Sequence, residues 1–156
     1  MDSSHACARW PASAPRKPTE YLLRKNTDQL SPAMVYRLTV KGFDLNDVKD
    51  MLAISDLYST KKIMSRIVGK SIRSIQRQGN KQPAHLNSQQ SAIAFQYAKV
   101  LEYATHVFGT QKLAEEWLGR PCRYLDGDVP LDVIDNPVGF LVLEEYLERI
   151  EFGVYQ

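Results

Sequence analysis

The stretch from residue 104 to residue 155, ATHVFGTQKLAEEWLGRPCRYLDGDVPLDVIDNPVGFLVLEEYLERIEFGVY, decides the fold of the C-terminal third of the chain. Gly109 and Gly119 each follow a run of helical periodicity, and glycine commonly ends helices because it accepts the left-handed conformation. The pair Asn136-Pro137 is typical of a helix N-cap followed by the first helical residue. The stretch therefore predicts helices separated by one loop, with Asp126-Gly127 as its turn.

The last helix of this stretch is predicted to bury one apolar side. Gly139 near its start would permit close approach of another backbone segment. In the preceding helix, Leu113 with Trp117 or Leu118 forms the expected buried edge. The apolar residues noted along the last helix are Val138, Leu141, Val142, Tyr146, Leu147 and Ile150.

Helical periodicity also dominates the chain upstream. Asp44 is a candidate N-cap for a helix that ends near Ser55, and Ser59 or Thr60 is expected to open the next helix. Asn87 or Ser88 opens a longer helix with one continuous apolar stripe. The fold class is therefore predicted to be all-α. The stripe consists of Ile93, Tyr97, Val100, Leu101, Ala104, Val107 and Phe108.

Charge is strongly polarised along the chain. Residues 30–90 contain ten Lys or Arg and four Asp or Glu, whereas residues 91–156 contain five and eleven. No acidic residue lies between Asp56 and Glu102, although seven cations lie between residues 61 and 81. A solvated surface normally mixes signs, so this one-signed segment favours binding to a polyanion, namely nucleic acid, over a merely solubilising role.

The basic segment has the pattern of a helix-turn-helix. One helix ends at Gly69, Ser71 can cap a second short helix, and that helix turns polar side chains outward. The residues predicted to contact DNA are Lys62, Arg66, Lys70, Ser71, Arg73, Ser74 and Arg77. Because one short recognition helix covers few base pairs, a homodimer on a palindromic operator is expected.

The predicted organisation is an N-terminal helix-turn-helix DNA-binding unit joined to a small helical domain. Residues 1–29 carry prolines and no sustained periodicity, which predicts a disordered leader. Residues 30–81 form the predicted DNA-binding domain, 82–88 a linker, and 89–156 the C-terminal domain. No signal-like or membrane-spanning apolar run is present, so a cytoplasmic protein is expected.

The sequence contains no recognisable catalytic or metal-binding motif. It lacks HExxH, CxxC, GxSxG and a phosphate-binding glycine loop. The cluster of aspartates between residues 126 and 135 lacks the order of a calcium loop. Cys122 and His106 could pair as nucleophile and base only by coincidence of folding. No catalytic residue, metal or cofactor is therefore expected.

The C-terminal stretch resembles the toxin-binding domain of antitoxins of the Xre/MbcA/ParS type. The resemblance rests on five ordered segments. They are AxxVFG-like (104–109), AxxWL (114–118), GxxPLDxI-like (127–134), NPxG (136–139) and LxRIxxGVY (147–155). Val129 departs from the threonine that the family often has before the proline. The upstream basic segment fits the family more loosely.

This resemblance implies an antitoxin of a type II toxin-antitoxin system. Its expected partners are a RES-domain toxin that depletes NAD and the operator DNA of the shared operon. The chain end is expected to occlude the toxin's active site. The residues expected to bind the toxin are Leu147, Arg149, Ile150, Phe152, Gly153, Val154 and Tyr155. The alternative is a stand-alone helix-turn-helix regulator whose C-terminal half dimerises or senses a small molecule.

Overall fold

A computed structural model describes residues 16–69, 73–74, 77 and 84–153. The described residues are mostly helical and contain no β-strand, which confirms the all-α fold class. Short 3₁₀ turns occupy residues Thr27–Gln29, Arg123–Leu125 and Pro130–Asp132. The helices are α1 (Pro18–Leu23), α2 (Pro32–Lys41), α3 (Leu45–Ala53), α4 (Asp56–Thr60), α5 (Ile63–Val68), α6 (Ser88–Phe108), α7 (Gln111–Leu118) and α8 (Pro137–Glu151).

The long helix α6 lies at the centre of the fold and packs against α1, α2, α5, α7 and α8. Its N-terminus is closed by a capping box, in which Asn87 and Gln90 exchange side-chain and backbone hydrogen bonds. Gly109 ends it with φ at +95°, as the sequence predicts. The predicted stripe supplies the buried face, with Tyr97 and Leu101 fully buried.

The N-terminal part of the described chain corrects one prediction. Residues 18–23, assigned from the sequence to a disordered leader, form α1 and pack against α3 and α6. The backbone amide and hydroxyl of Thr19 both donate to Glu102 Oε1, at 3.2 and 2.7 Å. Leu22 and Leu23 are only 4% exposed. Residues 1–15 lie outside the described part.

Some helix boundaries between residues 45 and 69 agree with the sequence prediction, and others do not. Asp44 caps α3, and Gly69 ends α5 with φ at +63°, both as predicted. Ser59 and Thr60, predicted to open a helix, instead lie within α4. Ser55 caps α4, and α5 follows Lys62. The sequence predicted one helix start in this region, whereas the structure has two very short helices, α4 and α5, joined by a turn.

Residues 84–86, which belong to the predicted linker, are fixed in place. The amide of Leu86 donates to Phe43 O, and the amide of Leu45 donates to Ala84 O, each at 2.9 Å. Leu86 is 2% exposed. Gly42 adopts φ +99°, and a Cβ there would overlap the carbonyl oxygen of Leu86. This part of the linker is therefore docked rather than hinge-like.

One hydrophobic core spans the described residues, from Leu22 in α1 to Leu147 in α8. Helix α6, assigned from the sequence to the C-terminal domain, also supplies the surface on which α1, α2 and α5 pack. The expected division into two separate helical units is therefore replaced by a shared core. No helix of the described residues is long and apolar enough to cross a membrane.

Candidate functional site

The segment from residue 130 to residue 139 fixes the position of α8. The side chain of Asn136 accepts hydrogen bonds from the amides of Val138 and Gly139, at 2.9 and 3.1 Å, as the predicted N-cap should. A Cβ at Gly139 would overlap the carbonyl oxygen of Val133 and lie 2.9 Å from Val133 Cβ. The predicted close approach of two backbone segments is confirmed, and it sets the angle at which α8 leaves the loop.

Helix α8 presents an apolar stripe to solvent. Val138 is 68% exposed, Leu141 is 63% exposed, and Phe152 at the C-terminal end of the helix is 69% exposed. Successive residues of a helix are about 100° apart, so these three positions share one side. Val138 and Leu141 were counted from the sequence among the apolar residues of the last helix, and the structure exposes both. The stripe is an exposed apolar patch, which is a common mark of an interaction surface.

A charged and aromatic group borders this stripe. Arg149 Nη2 lies 2.6 Å from Glu145 Oε1, and the Arg149 guanidinium lies 5.9 Å from the ring centroid of Tyr124. Tyr124 packs against Tyr146 at 5.0 Å, and Tyr146 stacks on Trp117 at 5.7 Å. The guanidinium thus contacts the first of three packed aromatic rings, and the last of them, Trp117, belongs to the core. We call this surface, formed by Tyr124, Val138, Leu141, Glu145, Arg149 and Phe152, the outer face of α8.

The outer face replaces part of the set of C-terminal contact residues predicted from the sequence. Leu147 is fully buried, so it belongs to the core and cannot touch a partner without unfolding α8. Arg149 and Ile150 are partly exposed. Phe152 is exposed, and Gly153 turns the chain with φ at +68°. Val154 and Tyr155 lie outside the described residues.

Two leucines in α7 and α8 also differ in burial from what the sequence predicts. Leu113 is 46% exposed, whereas it was predicted at the buried edge with Trp117 or Leu118. Leu143, which is not among the apolar residues noted along the last helix, is fully buried. Leu143 and Leu147 are four residues apart, so this spacing was the available signal for the true buried side.

Six of the seven predicted DNA contacts fall into three groups. Lys62 is exposed and adopts φ +54°, immediately before α5. Arg73, Ser74 and Arg77 are exposed and helical in conformation. Lys70 and Ser71, by contrast, lie outside the described residues.

Arg66, another predicted DNA contact, bonds within the chain. Its Nη1 lies 3.1 Å from Asp132 Oδ1 and donates to Leu131 O at 3.3 Å. Its side chain is 34% exposed. The structure therefore places Arg66 against the Pro130–Asp132 turn.

The titratable groups singled out in the sequence do not assemble into a reactive site. Cys122 is 7% exposed and unpaired by disulfide. His106 Nε2 lies 3.3 Å from Glu151 Oε1. Within the described ranges, no group of three or more His, Cys, Asp or Glu side chains could hold a metal ion. Burial, followed by the negative charge of Asp135, raises the pKa of Tyr97 to about 12.

A cavity of about 580 Å³ lies between α1, α6 and α7. Two of the charged side chains that line it already have partners within the chain. Lys99 Nζ lies 3.2 Å from Glu144 Oε2, and Glu102 accepts from Thr19. These contacts join helices of the fold to one another. Among the exposed apolar residues of the C-terminal part, Val138, Leu141 and Phe152 lie on the outer face of α8, and Leu113 lies on α7.

Comparison with known families bears directly on this C-terminal part. Residues 104–153 match the model of the antitoxin Xre/MbcA/ParS C-terminal toxin-binding domain. The match confirms the resemblance seen in the sequence, and it contains the whole outer face of α8. It describes a binding domain rather than an enzyme. No curated protein matches the chain.

Proposed function

We propose that this protein neutralises a RES-domain, NAD-degrading toxin and represses its own operon. The proposal starts from its C-terminal segment, which matches the model of the toxin-binding domain of the Xre/MbcA/ParS antitoxins. The family match supports the antitoxin role itself. The identity of the toxin and the binding to DNA are the further parts of the proposal. The observation that carries it is the location of an exposed apolar face within the matched segment.

We assign toxin docking to the outer face of α8. Its composition suits a protein interface, because exposed aromatic and aliphatic groups surround an arginine. Arg149 is held by Glu145 and by the ring of Tyr124, so little side-chain freedom is lost when a partner covers it. The exposed ring of Phe152 lies at the C-terminal end of this face.

Neutralisation is proposed to follow from the position of the chain end. A partner bound along α8 would have Phe152 and the residues after it at its surface. An NAD-degrading toxin has a pocket for phosphates and an aromatic base, and a short aromatic segment can cover such a pocket. Loss of access to NAD would then inactivate the toxin without any chemistry on the antitoxin.

DNA binding is proposed for the basic segment around residues 61–77. Lys61, Lys62, Arg73 and Arg77 are exposed, with the two lysines immediately before α5 and the two arginines after it. Each lysine or arginine that meets a phosphate releases counterions, so binding should weaken as salt increases. Arg73 and Arg77 are four residues apart and can face the same groove.

Neutralisation in growing cells tests the toxin-binding part. The test requires a RES-domain toxin encoded next to this chain, expressed from an inducible promoter together with it. We expect Leu141→Asp and Phe152→Asp to abolish rescue of growth, because a carboxylate would be buried in the interface. Val40→Asp on α2 is the matched control, since Val40 is 49% exposed and lies outside the matched segment.

Three results would count against this assignment. Rescue by Leu141→Asp would exclude the outer face of α8, and failure of the Val40→Asp control would remove its specificity. Removal of residues 151–156 should abolish rescue while leaving DNA binding intact. Rescue by that truncated chain would refute occlusion, whereas loss of both activities would indicate a structural role for the segment.

Fluorescence anisotropy with a duplex from upstream of its own reading frame tests the DNA-binding part. Lys62→Ala should weaken binding to all sequences alike and reduce the slope of log affinity against log salt by about 0.9. Arg73→Ala should instead lose about 1–3 kcal/mol of discrimination between operator and scrambled DNA. Absence of binding at moderate salt would refute this part and leave the toxin-binding part standing.

A further inference from the structure

The contact of Arg66 with the Pro130–Asp132 turn joins two parts of the chain that are distant in sequence. One guanidinium nitrogen contacts both the carboxylate of Asp132, at 3.1 Å, and the carbonyl of Leu131, at 3.3 Å. We call Arg66, Leu131 and Asp132 the clasp. Its two acceptors come from adjacent residues, so the planar guanidinium is fixed by two different groups.

Both sides of the clasp are anchored in the structure. Arg66 belongs to α5, which ends at Gly69, where the predicted DNA-binding segment continues. On the other side, Leu131 is 2% exposed and Ile134 is fully buried. Gln96 Nε2 donates to Ile134 O at 2.6 Å, which ties this turn to α6. The clasp therefore connects α5, which lies within the basic segment, to the turn that precedes α8.

The same contact makes Arg66 a poor candidate for a phosphate ligand. A phosphate could recruit this guanidinium only by displacing the carboxylate of Asp132 and the carbonyl of Leu131. Lys62, Arg73 and Arg77 are exposed on the same basic segment and can meet phosphates directly. The charge of Arg66 is therefore paired with a carboxylate of the same chain.

We propose that Arg66 is a positioning residue for DNA binding, which holds the basic segment in its binding orientation through Leu131 and Asp132. This inference rests on the proposed DNA binding, and it assigns Asp132, an acidic residue of the toxin-binding domain, a part in that activity. Electrostatics alone predicts the opposite role for Asp132, because an acid near a DNA-binding surface repels phosphates. The sign of its effect therefore separates the two accounts.

Fluorescence anisotropy with the same upstream duplex supplies the test. We expect Asp132→Asn to weaken binding by about threefold to tenfold, the loss associated with one modest hydrogen-bonded pair. Asp135→Asn is the matched control, because it removes the same charge three residues away. Asp135 is exposed, and its control should bind as tightly as the wild type or slightly more tightly. Tighter binding by Asp132→Asn would overturn the positioning role.

A charge exchange provides the second test. Arg66→Asp alone should lose binding, and the pair Arg66→Asp with Asp132→Arg should recover most of it, although an acid then occupies position 66. A phosphate ligand could not be replaced in this way, so failure of the folded double variant to recover binding would overturn the proposal. Urea unfolding followed by circular dichroism establishes that each variant is folded. If the wild type does not bind, both the DNA-binding function and the positioning role fail.

Discussion

Truncation of Leu147 tests which side of α8 faces the core. Leu147 is fully buried, and its change to alanine removes roughly three carbon atoms at about 0.8 kcal/mol each. The cavity left behind adds to this transfer cost, so we expect a loss of about 2–5 kcal/mol in the free energy of unfolding. Urea unfolding followed by circular dichroism measures it.

Leu141→Ala is the matched control, since it makes the same substitution in the same helix. Leu141 is 63% exposed, so its truncation should change the free energy of unfolding by no more than about 0.5 kcal/mol. Equal costs at the two positions would refute the assigned orientation of α8. A cost below about 0.5 kcal/mol at Leu147 would show that this side chain is not part of the core.

Other substitutions and pH test the surrounding contacts. Gly139→Ala should destabilise the protein by about 1–3 kcal/mol in urea unfolding, because its Cβ would overlap a backbone carbonyl. A Cβ at Gly119, with φ at −91°, would lie 3.3 Å from Glu115 O without overlapping it, so Gly119→Ala should cost less; equal effects would contradict the close approach. Glu102→Ala should lower the free energy of unfolding by about 1–3 kcal/mol, because it leaves the buried donors of Thr19 unpaired. Limited proteolysis should then cut near α1. Unchanged resistance to proteolysis would argue against the contact between Thr19 and Glu102. The raised pKa of Tyr97 favours its protonated form in the folded state. Its contribution to the free energy of unfolding is therefore complete below pH 10 and is lost towards about pH 12. A urea midpoint that stays constant over that window, or the same decline in Tyr97→Phe, would contradict this prediction.

Much of the architecture could be predicted from local sequence signals. The apolar stripe of α6 spans many residues, so its helical period and buried side were clear. Asn136 caps α8 as predicted, and Asn87, one of the two predicted candidates, caps α6. These features depend on neighbouring residues alone, and short-range hydrogen bonding fixes them whatever the rest of the chain does.

The role of residues 18–23 could not be predicted in this way. A helix of six residues is too short to be stable alone, and the prolines around it suppress any periodic signal. Its place depends on Glu102, more than eighty residues away in the sequence, which accepts two hydrogen bonds from Thr19. Such a contact becomes visible only when α1 is packed on α6.

The side of α8 that faces the core could not be predicted from the sequence, for a different physical reason. Helix α8 carries apolar residues on more than one side, so periodicity could not decide which side is buried. In the structure α8 approaches Val133 closely at Gly139, buries Leu143 and exposes Leu141. An apolar residue at helical spacing is therefore evidence for the core or for an interface, and the packing geometry distinguishes them.

Direct binding between the purified chain and the purified product of the adjacent reading frame tests the central claim, which is that the outer face of α8 binds a toxin. Isothermal titration calorimetry should show a complex with the wild-type chain and with Val40→Asp, and no complex with Leu141→Asp. Circular dichroism must show that Leu141→Asp remains folded. Absence of a wild-type complex, or an unchanged affinity for Leu141→Asp, would contradict the claim.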